Sequence, residues 1–223
     1  MNDPQGLGAP RWAWVLWSLV TLGSLVAAPH LPPRIATHFG GNGAPNGYSN
    51  RWVGALVQPG IMLVLLLAWQ GLWRLDPRRR NYAAMASTYR WIGGLLIAFL
   101  ALVQAFLLTR ALGWVAWNAA RVLGVALGLL LALLAKGLPR LQPNGWLGIR
   151  TPWTLRDATV WRRTHRLGGH SGVVAGLALV AASVALPPAW LGGVVALPLL
   201  WGLGTVVASY GFFAQARNRE DRA

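Results

Sequence analysis

The residues able to take part in chemistry are few and widely spaced. His30 and His38 lie eight positions apart with no carboxylate or thiol beside them, and zinc needs three or four such ligands. No metal and no cofactor are expected there. Asp157 and His165 form the one acid–base pair within local reach. On a continuous helix they stand about 12 Å apart, too far to share one substrate atom. Cysteine is absent, which removes thiolate nucleophiles, thiolate metal ligands and disulfides. An enzyme is therefore not expected. What remains are two clusters suited to recognition. One holds Arg34, His38, Phe39 and Tyr48, a cation and three rings within a short polar stretch. The other gathers Asn144, Arg150, Thr151, Trp153, Thr154, Trp161 and His165, a guanidinium fork that can hold a carboxylate and rings that can be buried in a partner.

The elements that must carry these clusters are set by composition. Hydrophobic residues make up 55% of the 223 positions and charged residues 11%, less than half the charge of an average soluble domain. The excess apolar surface has to face lipid. Six stretches are long and apolar enough to span a bilayer, near 12–28, 53–73, 91–109, 114–135, 168–186 and 190–213. Trp12, Trp73, Trp91, Trp114, Trp190 and Tyr210 sit at their ends, where amphipathic rings settle at headgroup level. Pro29 just beyond Ala27-Ala28 and three tryptophans in the first apolar run argue for an uncleaved span over a signal peptide. Residues 1–223 thus read as one membrane domain, an all-α bundle of about six transmembrane helices. Gly168, Gly172 and Gly176 line one face of the fifth span and would let a neighbouring helix approach closely.

The net charge of +15 would fit nucleic acid if the cations shared a folded face. They occupy short gaps between apolar runs instead, so no nucleic-acid partner is expected. Sixteen Lys and Arg fall on the side holding both termini, 74–90 and 136–167, against Arg34, Arg51 and Arg110 on the other. That bias puts both termini in the cytoplasm, the 29–52 loop outside and the 136–167 loop inside. Arg121 is the one charge within a span. It reaches the outer surface, or it turns inward to an anionic or carbonyl partner. All five acids (Asp3, Asp76, Asp157, Glu220, Asp221) lie outside the spans, which argues against carboxylate-coupled transport.

The outer loop is rich in glycine, asparagine and proline, which predicts a structured set of tight turns. His38 there either locks a turn or touches a ligand. The inner loop predicts a helix capped by Thr154, with Asp157 completing a capping box. That helix carries Trp161 and His165 on one face and Arg162, Arg163 and Arg166 around it, a basic amphipathic surface suited to membrane lipids, and runs into the fifth span.

Two strings carry a resemblance. Leu31-Pro-Pro-Arg-Ile with Thr37-His38-Phe39 and Gly43 comes first. Asn144, Gly148-Ile-Arg-Thr-Pro-Trp-Thr-Leu155, Trp161 and Thr164-His165 follow. Together they are similar to the SdpI-like immunity protein family, over about residues 12–213. The resemblance implies a bacterial inner-membrane protein that protects against or senses a secreted antimicrobial peptide, and that draws a cytoplasmic repressor to the membrane. An uncoupled small-molecule or lipid transporter is the alternative that composition leaves open.

Overall fold

A computed structural model describes residues 6–220; Asp3, Asp221 and Arg222 lie outside the described residues. Among the described residues, six helical segments are long and apolar enough to cross a membrane: Arg11–His30, Arg51–Leu75, Arg79–Ala111, Ala119–Arg140, Ala158–Ala185 and Pro188–Asn218. Their α-helical parts are α1 (Arg11–Ala27), α2 (Arg51–Gly71), α3 (Ala86–Ala111), α4 (Ala119–Gly137), α6 (Ala158–Ala185) and α8 (Ala196–Glu220). A five-residue helix, α5 (Pro152–Arg156), precedes α6, and a single turn, α7 (Leu191–Val194), precedes α8. Strands β1 (Arg34–Phe39) and β2 (Pro45–Asn50) pair antiparallel between α1 and α2. The protein is an all-α membrane bundle with one small sheet.

The helices bury small and polar residues beside a few large rings and aliphatic chains, and leave many large apolar side chains on the outer surface. Val15, Leu19, Val64, Leu199 and Val207 are each at least 60% exposed, an arrangement stable only where lipid replaces water. Helices α1, α2 and α3 pack on one another; α4 then packs on α3 and along α6, and α6 packs on α8. The α4–α6 contact is made by backbone. A Cβ on Gly176 would stand 2.6 Å from the Ala132 nitrogen and the Gly128 oxygen, and one on Gly172 would meet Ala135. The glycine face predicted on the fifth span is thus where α4 comes close. In the first half Gln104, fully buried, donates to Ser24 Oγ (3.2 Å) and to the Ala55 carbonyl (2.9 Å). That amide ties α3 to α1 and α2, where hydrocarbon offers a polar group no other partner.

Two expected boundaries shift. The fourth span begins at Ala119, because Gly113 adopts φ +76° and Asn118 caps the helix by accepting from Arg121 N (3.1 Å). Trp114 and Trp117 consequently sit in an exposed connection. The expected cap at Thr154 is also displaced. Thr151 caps α5, with Pro152 in the first turn and Thr154 returning a bond to the Thr151 backbone. Asp157 is instead the N-cap of α6, accepting from Thr159 N (2.6 Å) and Val160 N (3.1 Å). Proline at the first helical position has no N–H to lose and a preset φ, so α5 starts one turn before the expected cap, while the helix carrying Trp161 and His165 starts only after Asp157, whose backbone is extended.

Candidate functional site

The chemistry-bearing residues collect at the two ends of the bundle. At one end the β1–β2 hairpin covers the termini of α1, α2 and α3. Its turn closes with Gly40 N donating to Ala44 O (2.8 Å) and Gly43 at φ +81°. Alternation along the strands then sorts the side chains. Ile35 is buried and lies over Gly54, with Thr37 beside it, where any side chain on position 54 would collide with both. Phe39 packs 6.4 Å from the Phe106 ring, with the Arg110 guanidinium over the Phe39 ring at 5.5 Å. The opposite face presents Arg34, His38 and Tyr48, all exposed, Tyr48 at 55%. His38 Nδ1 pairs with Asn46 Oδ1 across the strands at 2.5 Å. The imidazole thereby holds the hairpin near its tip while its ring stays accessible. Asn118 anchors the tip by donating to Asn42 O (2.8 Å).

Arg121 belongs to this end. Its guanidinium donates to the carbonyls of Val184 and Leu186, where α6 terminates. The side chain thus lies at this exposed end of the bundle, and its partners there are backbone carbonyls. A cation at a helix C-terminus satisfies orphan acceptors and opposes the negative end of the dipole.

At the other end the predicted motif folds back on itself. Asn144 is fully buried. Its Oδ1 accepts from Trp146 N (2.9 Å) and Leu147 N (2.6 Å), while its Nδ2 donates to the carbonyls of Gln142 (2.8 Å) and Leu147 (3.1 Å). Trp161 and His165 stack at 3.9 Å, and the Trp161 indole donates to Leu141 O (2.8 Å). His165 Nδ1 lies 2.8 Å from the Trp161 carbonyl, and its Nε2 accepts from Ile149 N (3.0 Å). An imidazole that accepts at Nε2 and donates at Nδ1 is neutral and locked in one tautomer. Gly148, at φ +97°, lets the loop pass the ring, since a Cβ there would stand 2.3 Å from Nε2. Trp153 carries α5 onto α8 through Ser209 Oγ (2.7 Å) and the ring of Tyr210.

Asn144, Thr151, Thr154, Trp161 and His165 are all buried, and Trp153 is half-buried. In this arrangement they shape the surface and do not form it. Arg150 is exposed and donates to Gly145 O; Trp146 is 40% exposed. Sequence reasoning missed the residue that binds the two inner connections together. Asp76, 3% exposed, accepts from Arg78 N (2.8 Å), Tyr82 Oη (2.8 Å) and Gly145 N (2.6 Å). Arg78 donates to Leu155 O (2.7 Å), and Asn81 to Pro143 O (2.7 Å). An open cavity of about 690 Å³ lined by Arg74, Asp76 and Arg78–Arg80 adjoins this network. The signal available in the sequence was one acid among several arginines, between two spans.

Six membrane-spanning helices, with a hairpin at one end and a cross-braced loop at the other, define a polytopic α-helical membrane protein. Two family models match the chain: the SdpI/YfhL protein family over residues 140–209, which covers the cross-braced loop and the helices after it, and a domain of unknown function over residues 13–63, which covers the hairpin and its flanking helices. The chain is also 24% identical over 199 residues to the Bacillus subtilis immunity protein SdpI, covering 89% of this chain and 93% of that protein. No solved structure matches it. The chain thus resembles SdpI-like bacterial membrane proteins over most of its length.

Proposed function

We propose that this protein protects its bacterium from a secreted antimicrobial peptide that acts at the membrane. The observation that carries the reading is near end-to-end similarity to the immunity protein SdpI. The hairpin supports it with a surface suited to a peptide: Arg34 for a carboxylate or backbone carbonyl, His38 and Tyr48 for stacking and hydrogen bonds. In this reading the hairpin faces outward and the motif end faces the cytoplasm, in keeping with the sixteen-to-three partition of Lys and Arg. Arg150 and Trp146, the exposed members of the motif end, are then the groups that a cytoplasmic repressor would meet, with the buried stack beneath them holding their position.

The test is protection. The chain is expressed in a sensitive bacterium, which is challenged with the peptide toxin encoded beside its own gene or with a panel of membrane-active bacterial peptides. The reading predicts survival with wild type and loss of survival with His38→Ala combined with Tyr48→Ala at equal membrane levels. Arg150→Ala is predicted to protect as wild type does while failing to hold a cytoplasmic partner at the membrane. Undiminished protection by the hairpin double variant contradicts the assignment of the peptide to that face.

A further inference from the structure

A second built site lies on the seam between the two halves of the bundle, at the motif end. Ser87, Thr88 and Trp91 on α3 face Lys136 on α4 and Arg140 just beyond it, around a cavity of about 380 Å³. Gly137 brings the helices together, for a Cβ there would stand 2.9 Å from the Trp91 ring and 3.5 Å from Thr88. Lys136 and Arg140 are exposed, and their side chains have no hydrogen-bond or ion-pair partner among the described residues. Thr88 is only 5% exposed, lines the cavity, and its hydroxyl likewise has no partner among the described residues. That hydroxyl is reached from the cavity, beside the two cations, and is free to donate to an acceptor held there.

We propose that this cavity binds the phosphate of an anionic glycerophospholipid from the leaflet at the motif end. Lys136 and Arg140 supply the charge, and Ser87 and Thr88 the hydroxyl donors. Trp91 forms a wall at headgroup depth, where indole rings settle. The position selects a lipid over a soluble anion. Leu133 and Leu129, 40% and 46% exposed, precede Lys136 by three and seven residues. They continue its helix face into the bilayer as a track for an acyl chain. Basic pockets between spans are a recognised headgroup geometry. The bound lipid would join α3 to α4, one of the contacts through which the first three helices meet the rest. The proposal is independent of the peptide ligand and of which side the hairpin faces.

The test is native mass spectrometry on the purified full chain in neutral detergent, titrated with phosphatidylglycerol or phosphatidylcholine. Wild type is expected to retain one phosphatidylglycerol in preference to phosphatidylcholine. Lys136→Ala with Arg140→Ala should weaken it by about 30-fold, the loss of two interfacial cations. Thr88→Val should weaken it by about fivefold, the loss of one hydrogen bond. Lys136→Arg with Arg140→Lys should retain the lipid, which shows that charge and not folding is being read. Arg162→Ala with Arg166→Ala, an exposed basic pair elsewhere on the same end, should also leave it unchanged. Equal retention of the two lipids, or undiminished phosphatidylglycerol on the alanine double variant, overturns the proposal. Displacement of the lipid by inorganic phosphate or by polyglutamate overturns it in favour of a soluble anion or an acidic protein segment.

Discussion

The two ends of the bundle carry residues of similar type and use them in opposite ways. At the motif end a histidine, two tryptophans and an asparagine are turned inward and bonded at nearly every polar atom. His165, Asn144 and Asp76 together accept from backbone in two separate connections, the one after α2 and the one after α4. At the hairpin end His38 makes one cross-strand contact and Arg34 and Tyr48 project into solvent. A hydrogen-bonded loop between spans can be this dense because it must hold four helices, α3, α4, α6 and α8, in register without a sheet. A two-stranded hairpin is marginal by itself and holds its shape by leaning on the bundle through Ile35 and Phe39. The difference teaches that the motif string is chiefly a structural brace, whereas the hairpin supplies free side chains.

That contrast can be broken in order of expected effect. Asp76→Ala strands three donors, two of them backbone N–H groups, and should lower the unfolding free energy in detergent by about 3 kcal/mol. A thermal melt unchanged from wild type would show that Asp76 is no brace. Gly148→Ala combines a left-handed backbone with a collision against His165, and about 2 kcal/mol of destabilisation is expected; chemical denaturation of the purified protein measures it. Asn118→Ala removes both the α4 cap and the hairpin tether, with a cost near 1 kcal/mol, and should raise proteolysis within residues 40–46 before the bundle melts. His38→Ala is the smallest: less than about 0.5 kcal/mol, as for exposed positions generally. A large stability loss in that variant would mean that His38 is a structural residue like His165, and the comparison between the ends would collapse.

The spans were legible because lipid demands about twenty apolar residues whatever the tertiary contacts. The fifth-span glycines were legible too, since spacing by four defines a face before its neighbour is known. The hairpin was harder to read. Asparagine, glycine and proline signalled turns, but the alternation of Ile35, Thr37 and Phe39 with Arg34 and His38 is a strand signal only three pairs long. At the motif end the residues stood out and their burial did not. Tryptophan, histidine and arginine serve equally as brace or as contact, and spacing along a helix does not say which face is covered. Asp76 was invisible for another reason: its partner Gly145 is 69 positions away, beyond any local pattern. The cap moved from Thr154 to Thr151 because both threonines precede helix, and proline at position 152 decides between them.

The difference between the ends has functional meaning only if they face different compartments, and the absence of native cysteine makes that directly measurable. Ala44→Cys at the hairpin tip and Gln142→Cys beside the brace both replace exposed side chains. Intact cells are treated with a membrane-impermeant maleimide. The account predicts that position 44 is labelled in intact cells and position 142 only after permeabilisation. Labelling of 142 and protection of 44 would invert the protein in the membrane and contradict a hairpin that meets a secreted peptide.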